Sequence, residues 1–262
     1  MSRLTPTFDR LRAEGRTAFV PFIMAGDPDL QASEKLLHGL PDAGADIIEV
    51  GFPFTDPMAD GPIIAEAGQR ALDGGQTLTM TLAMVKRFRE AGHETPIVLM
   101  GYANPVLQFG EGFATEAVAA GADGLILVDL PPEESETLDH QAKNACLDVI
   151  RLATPTTDAK RLPKVIERAS GFLYYVAVAG VTGDRSSDAG TLGTAIKALR
   201  AQTSLPIAAG FGIKDAASAR AAAEHADAVV VGSAIVKALA VDGVDSALSL
   251  TRLIADGVHG PK

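Results

Sequence analysis

Glu49 interrupts an apolar run made by Ile47, Ile48 and Val50, and the loop that follows carries Pro53, Pro57 and Pro62 with two further carboxylates, Asp56 and Asp60. A carboxylate buried unpaired in such a run is costly. One acid at a strand end, with another in the next loop, is how an α/β enzyme presents a proton-transfer pair. Taken singly, Glu49 could be a solvated strand-end residue, and Asp56 and Asp60 could be turn formers. The whole string Asp46–Pro62 favours chemistry. No histidine competes for the role, because none of the five (His38, His93, His140, His225, His259) falls in a loop after a strand. No Cys/His spacing suits a metal either.

The elements that must hold these acids recur along the chain. Short apolar runs occur at 18–24, 47–50, 97–100, 124–128, 149–152, 172–178, 206–209 and 228–231. Most are apolar at every position, as expected of parallel strands covered on both faces. Helical patterns separate them, at 30–41, 63–72 with 78–90, 113–119, 133–145, 159–168, 191–202, 216–224 and 244–256, and an opening helix covers 6–14. The strings Ala43-Gly44-Ala45-Asp46 and Ala120-Gly121-Ala122-Asp123 repeat one another, with a weaker copy at Ala226-Asp227. In each, an aspartate opens the next strand. Eight βα units in 262 residues predict a (β/α)8 TIM barrel with an N-terminal extra helix, one domain over 1–262. A doubly wound open sheet is the alternative, weakened because no G-x-G-x-x-G follows the first strand.

In a barrel the loops after the strands carry function. Those after strands 6, 7 and 8 are glycine-rich: Gly180–Ser187, Gly210–Ile213 and Gly232–Ile235. Glycines let backbone N–H groups approach an anion, and Ser233 stands where a short helix would begin. The plainer reading is tight turns and an N-cap serine. Three such loops together favour phosphate. Phe22, Met100, Tyr174 and Phe211 lie near strand ends and could wall a pocket for a flat apolar group. Leu127, on the same inward side, reads as packing, and Phe19, Phe52 and Tyr175 alternate toward the helices.

Composition limits the partners. The net charge of −10 disfavours nucleic acid, and no apolar run is long enough for a membrane span. One cysteine, Cys146, and an N-terminus without an apolar core predict a cytoplasmic protein.

The strings Pro21–Pro28, Glu49–Pro62, Tyr102–Pro105, Asp129–Pro131, Gly180–Gly183, Gly210–Ile213 and Gly232–Val236, in this order over nearly the whole chain, resemble the tryptophan synthase alpha chain family. The resemblance implies a barrel that cleaves indole-3-glycerol phosphate into indole and glyceraldehyde 3-phosphate. It also implies an α2β2 complex whose beta chain, not this one, carries pyridoxal phosphate. Glu49 then resembles the acid–base residue and Asp60 the carboxylate that binds the indole N–H. Tyr174 falls at a substrate-contacting position, Gly183, Gly212, Gly232 and Ser233 at phosphate-binding positions, and Thr182 on a loop that closes toward Asp60. The chain departs from many relatives at Ala103 and at Ala177-Val178-Ala179. The apolar loop Pro53–Met58 and Asn104-Pro105 suggest a face for the beta chain, with Phe54, Asp56, Pro57 and Asn104 as contacts. Other readings are a different phosphate-binding barrel, such as an aminosugar-phosphate isomerase, a free-standing indole-producing lyase, and a barrel kept mainly to activate its partner.

Overall fold

Strand runs that are apolar on both faces need cover on both, and the chain supplies it with a closed barrel inside a ring of helices. The structure is a computed structural model that describes residues 2–158, 160–176, 189–210 and 212–260. In chain order its elements are α1 (Leu4–Ala13), β1 (Ala18–Met24), α2 (Leu30–Gly39), β2 (Ile48–Gly51), α3 (Pro62–Asp73), α4 (Leu78–Glu90), β3 (Ile97–Gly101), α5 (Ala103–Phe109), α6 (Phe113–Ala120), β4 (Gly124–Leu127), α7 (Glu136–Ala145), β5 (Asp148–Val149), β6 (Arg151–Ala153), α8 (Leu162–Glu167), β7 (Leu173–Val176), α9 (Ala189–Arg200), β8 (Ile207–Gly210), α10 (Ala216–Ala223), β9 (Ala228–Val231), α11 (Ser233–Asp242) and α12 (Val244–His259). All strand pairs are parallel, in the order β5-β4-β3-β2-β1-β9-β8-β7-β6.

The fifth expected strand is two short ones. β5 pairs with β4 and β6 with β7, with Ile150 between them donating its N–H to Leu125 O at 3.0 Å. The chain crosses from one ladder to the other within a residue, which joins the two ends of the sheet. Two further helices differ from expectation. α5 stands where the loop after the third strand was expected, and Pro105 sits in its first turn, where its missing N–H costs nothing. α11 runs for 10 residues rather than a short start at Ser233.

Alternation along the strands sorts the core into two shells. Val20, Ile47, Val98, Ile126, Ile150, Phe172, Tyr174, Ala208 and Val230 point inward. Leu4, Phe8 and Leu11 of α1 join them, so α1 plugs the barrel's N-terminal end. Phe19, Leu127 and Tyr175 pack outward with Leu36, Phe88 and Phe113 of the helices. Leu127 is therefore packing, as read, though on the outer side of the wall.

The repeated aspartates stitch neighbouring strands. Asp46 accepts the N–H of Phe19 at 2.9 Å, Asp123 that of Ile97 at 2.9 Å and Asp227 that of Ile207 at 2.8 Å. Each also meets an arginine: Arg16 at 2.8 Å, Arg89 at 2.9 Å and Arg200 at 3.0 Å. All three lie before the strands they open, at the end of the barrel opposite the candidate site, where a residue serves stability.

Candidate active site

Glu49 lies within β2, opposite Phe22 on β1 and Val98 on β3. Its side chain points into the barrel and is 1% exposed, and among the described residues neither carboxyl oxygen has a hydrogen-bond partner. Burial pushes its pKa from 4.5 to about 8. Near neutrality Glu49 holds a proton it can give up.

Asp60 comes from the loop after β2. A tight turn presents it: Met58 N–H donates to Asp56 O at 2.9 Å, and Asp60 N–H to Pro57 O at 3.1 Å. Burial raises the Asp60 pKa, and a hydrogen bond from the Tyr102 hydroxyl opposes the rise. Tyr102 follows β3 and is buried, with its ring 5.2 Å from that of Phe54. Its oxygen accepts the Ala59 N–H at 3.0 Å, and burial pushes its own pKa up to about 12. The string Tyr102–Pro105 was singled out in the sequence, yet Tyr102 was not read as a site residue, because the residue it serves is 43 positions away.

Tyr174 stands on β7, buried, with its ionisation opposed first by burial and then by Glu49. It crosses Gly210 of β8 so closely that a Cβ there would come within 2.6 Å of Tyr174 Cε2. Gly212, beyond β8, has φ +40°, and a Cβ built on it meets no atom within 4 Å. It borders open space at a conformation that glycine adopts without strain. α11 starts at Ser233 with Gly232 as its N-cap and no side-chain cap bond. Ser233 is thus the first helical residue, not the cap, and it stays exposed at a helix end that favours anions.

These residues line one cavity of about 840 Å³: Phe22, Glu49, Asp60, Met100, Tyr174, Gly212, Gly232 and Ser233 all border it. Ile64, Val176, Ile213, Lys214 and Lys237 border it too and were not expected. Ile64 and Val176 lie outside the quoted motifs, and Ile213, though inside one, is an apolar residue beside the glycines that drew attention. The two lysines bring positive charge to the glycine-rich side of the mouth. Thr182, Gly183 and Phe211, and with them the Gly180–Ser187 loop and Ala177-Val178-Ala179, lie outside the described residues.

The loop expected to face a partner is mixed. Pro53 is buried and Phe54 half-buried against Tyr102, so this part folds onto its own barrel, while Asp56 is exposed and Met58 is 82% exposed. Pro57 is half-buried, and Asn104 is exposed beside Leu107, itself 70% exposed. Among the described residues no helix is long and apolar enough to cross a membrane.

The chain matches the family model described as tryptophan synthase alpha chain over residues 8–257. It is similar to the crystal structure of tryptophan synthase subunit alpha from Legionella pneumophila str. Paris, with 38% identity, 98% of each chain covered and a TM-score of 0.92. It is also similar to tryptophan synthase of Mycobacterium tuberculosis in space group F222, with 39% identity, 99% of each chain covered and a TM-score of 0.92. A second M. tuberculosis structure, an aminoacrylate-bound form, gives 37% identity over 99% of this chain and 100% of that one, at a TM-score of 0.90. Carrying an unpaired glutamate inside the barrel and an aspartate at its mouth, the chain belongs to the tryptophan synthase alpha chain family.

Proposed function

We propose that Glu49 and Asp60 carry out the retro-aldol step of this family. The chain is a carbon–carbon lyase, which cleaves indole-3-glycerol phosphate to indole and glyceraldehyde 3-phosphate as the alpha subunit of tryptophan synthase, in L-tryptophan biosynthesis. The observation that carries our assignment of roles is Glu49, buried without a hydrogen-bond partner among the described residues, on the wall of a cavity that Asp60 also borders.

Protonated Glu49 donates to C3 of the indole ring and makes the indolenine. The Asp60 carboxylate accepts the ring N–H and stabilises the positive charge that grows there. Glu49, now ionised, takes the proton of the C3′ hydroxyl. The C3–C3′ bond breaks, its electron pair returns to the ring, and indole and the aldehyde leave. A pKa of about 8 suits one group to both jobs. Phe22, Met100 and Tyr174 wall the indole, with Phe211 and Thr182 from the loops, while Gly183, Gly212, Gly232 and Ser233 hold the phosphate.

In our reading the chain is one barrel domain, acts in an α2β2 complex and needs no cofactor of its own, with pyridoxal phosphate in the beta chain. It works in the cytoplasm, which suits its free, exposed Cys146. Phe54, Asp56, Pro57 and Asn104 face the beta chain. Exposed Met58 and Leu107 beside the site support that face.

Indole release by Glu49→Gln and Asp60→Asn tests the roles. Near-complete loss with substrate binding retained is expected of Glu49→Gln. Activity within about tenfold of wild type, a barrier change near 1.4 kcal/mol, removes Glu49 from the mechanism.

A further inference from the structure

Tyr102 is buried to 3% exposure, yet its polar end is not idle. A phenol oxygen can accept hydrogen bonds and give one. The acceptor side is used by the backbone N–H of Ala59, at 3.0 Å. The next residue is Asp60, which borders the cavity. Tyr102 therefore holds the β2–α3 loop by its backbone, one residue before Asp60.

The grip is anchored from behind. Tyr102 is the residue at which α5 begins, and the first helical N–H, that of Ala103, donates to Asp129 Oδ1 at 2.8 Å. Asp129 belongs to the loop after β4. Three successive loops are thus tied in a row, from Asp129 through Ala103 and Tyr102 to Ala59. The Phe54 ring packs on the Tyr102 ring and limits its swing. The charged groups that act on Tyr102 are Asp60 and Asp129, both acidic, so the phenol stays protonated and remains a donor.

We propose that Tyr102 is a positioning residue for the lyase reaction: its hydroxyl fixes the Ala59–Asp60 corner and aims the Asp60 carboxylate into the cavity. The proposal rests on the role assigned to Asp60. An aspartate on a proline-rich turn has free rotamers, and a carboxylate that wanders cannot meet the ring N–H in the transition state. Holding it in advance avoids that ordering cost during turnover.

The test is a double-mutant cycle with Tyr102→Phe and Asp60→Asn, read as kcat/KM for indole release across pH. Tyr102→Phe keeps the ring and removes only the hydroxyl. It should lower kcat about tenfold, the rate equivalent of one lost hydrogen bond. The acid limb of the profile should move to higher pH, because Asp60 loses the donor that favours its ionised form, while the alkaline limb stays in place. In the Asp60→Asn background the same change should cost almost nothing more. Phe54→Leu loosens the ring without touching the hydroxyl and should leave the acid limb where wild type has it.

An additive loss in the cycle, an unmoved acid limb, or an equal limb shift in Phe54→Leu overturns the proposal. If Asp60→Asn is crippled and Tyr102→Phe is not, only the positioning role falls. If Asp60→Asn turns over like wild type, the role of Asp60 falls first and that of Tyr102 with it.

Discussion

Glu49 faces Phe22 across the parallel ladder of β1 and β2 and Val98 across that of β2 and β3, so its strand neighbours are an aromatic ring and an aliphatic side chain rather than a cation. That pairing has a consequence for stability as well as for rate. The folded state holds the Glu49 proton up to about pH 8, whereas the unfolded chain releases it near 4.5. Stability is fully present below 4.5, falls as pH rises between the two values, and levels off above about 8. Over about 3.5 decades at 1.36 kcal/mol each, the loss is roughly 5 kcal/mol. Glu49→Gln removes the titration. Urea unfolding should find this variant less stable by little or nothing at pH 5 and more stable than wild type at pH 9. Equal pH slopes for the two proteins would show that Glu49 is not buried as an acid.

A second prediction concerns an ion pair between a buried carboxylate and a half-exposed arginine. Asp27 is fully buried and meets Arg70 of α3 through two contacts, at 2.7 and 3.2 Å. Burial raises the Asp27 pKa, and Arg70 opposes that rise. Arg70→Met strands the carboxylate and should destabilise the fold by about 3 kcal/mol at neutral pH. The folded Asp27 pKa then rises further, so the deficit should shrink as pH falls and the group takes up its proton. Because α3 starts just after Asp60, indole release should fall as well. A deficit that stays constant between pH 5 and 8 would mean that the loss comes from packing.

Much of this was legible in the chain, and what was hidden has physical causes. Glu49 showed because a carboxylate is conspicuous in an apolar run. The Asp46, Asp123 and Asp227 repeat showed too, but its purpose did not, since each aspartate caps a strand 20 to 27 residues earlier. The inward facing expected of Leu127 failed, because β4 is apolar on both sides and the pattern has no period to read. The break at Ile150 was invisible because β5 and β6 together span 148–153, the length of one ordinary strand. Tyr102 was out of reach because its function is a contact between two loops.

A third prediction addresses the phosphate. Gly212→Val places a branched side chain at φ +40°. The strain is about 1–3 kcal/mol, and since a Cβ has open space there, it should be relieved by turning the backbone N–H away rather than by displacing neighbours. Isothermal titration should show glyceraldehyde 3-phosphate bound at least about tenfold more weakly, near 1.4 kcal/mol, with indole affinity unchanged. Parallel losses for both ligands would point to a folding defect and remove Gly212 from the phosphate site.

The last prediction concerns coupling to the beta chain. Asp56 is exposed, and its carboxylate accepts the Thr55 hydroxyl at 2.6 Å. No cation pairs with it among the described residues. The same short turn carries Asp60: the Asp56 carbonyl takes the Met58 N–H, and the Pro57 carbonyl takes the Asp60 N–H. A pull on Asp56 is thus felt at Asp60 through two consecutive backbone bonds. Tyr102 holds the other side of that turn, so it has a fixed end and an exposed handle. A beta-chain cation on Asp56 would shift the turn, and by reciprocity the state of the alpha site would change the affinity for the beta chain. Asp56→Ala should leave the isolated chain folded, with stability within about 0.5 kcal/mol of wild type, as for an exposed site with one local hydrogen bond. Its own indole release should also be unchanged. Titrating in beta chain should then stimulate the variant less than wild type, and saturation should need more beta chain. Full stimulation at the same beta-chain concentration would show that Asp56 is not the handle.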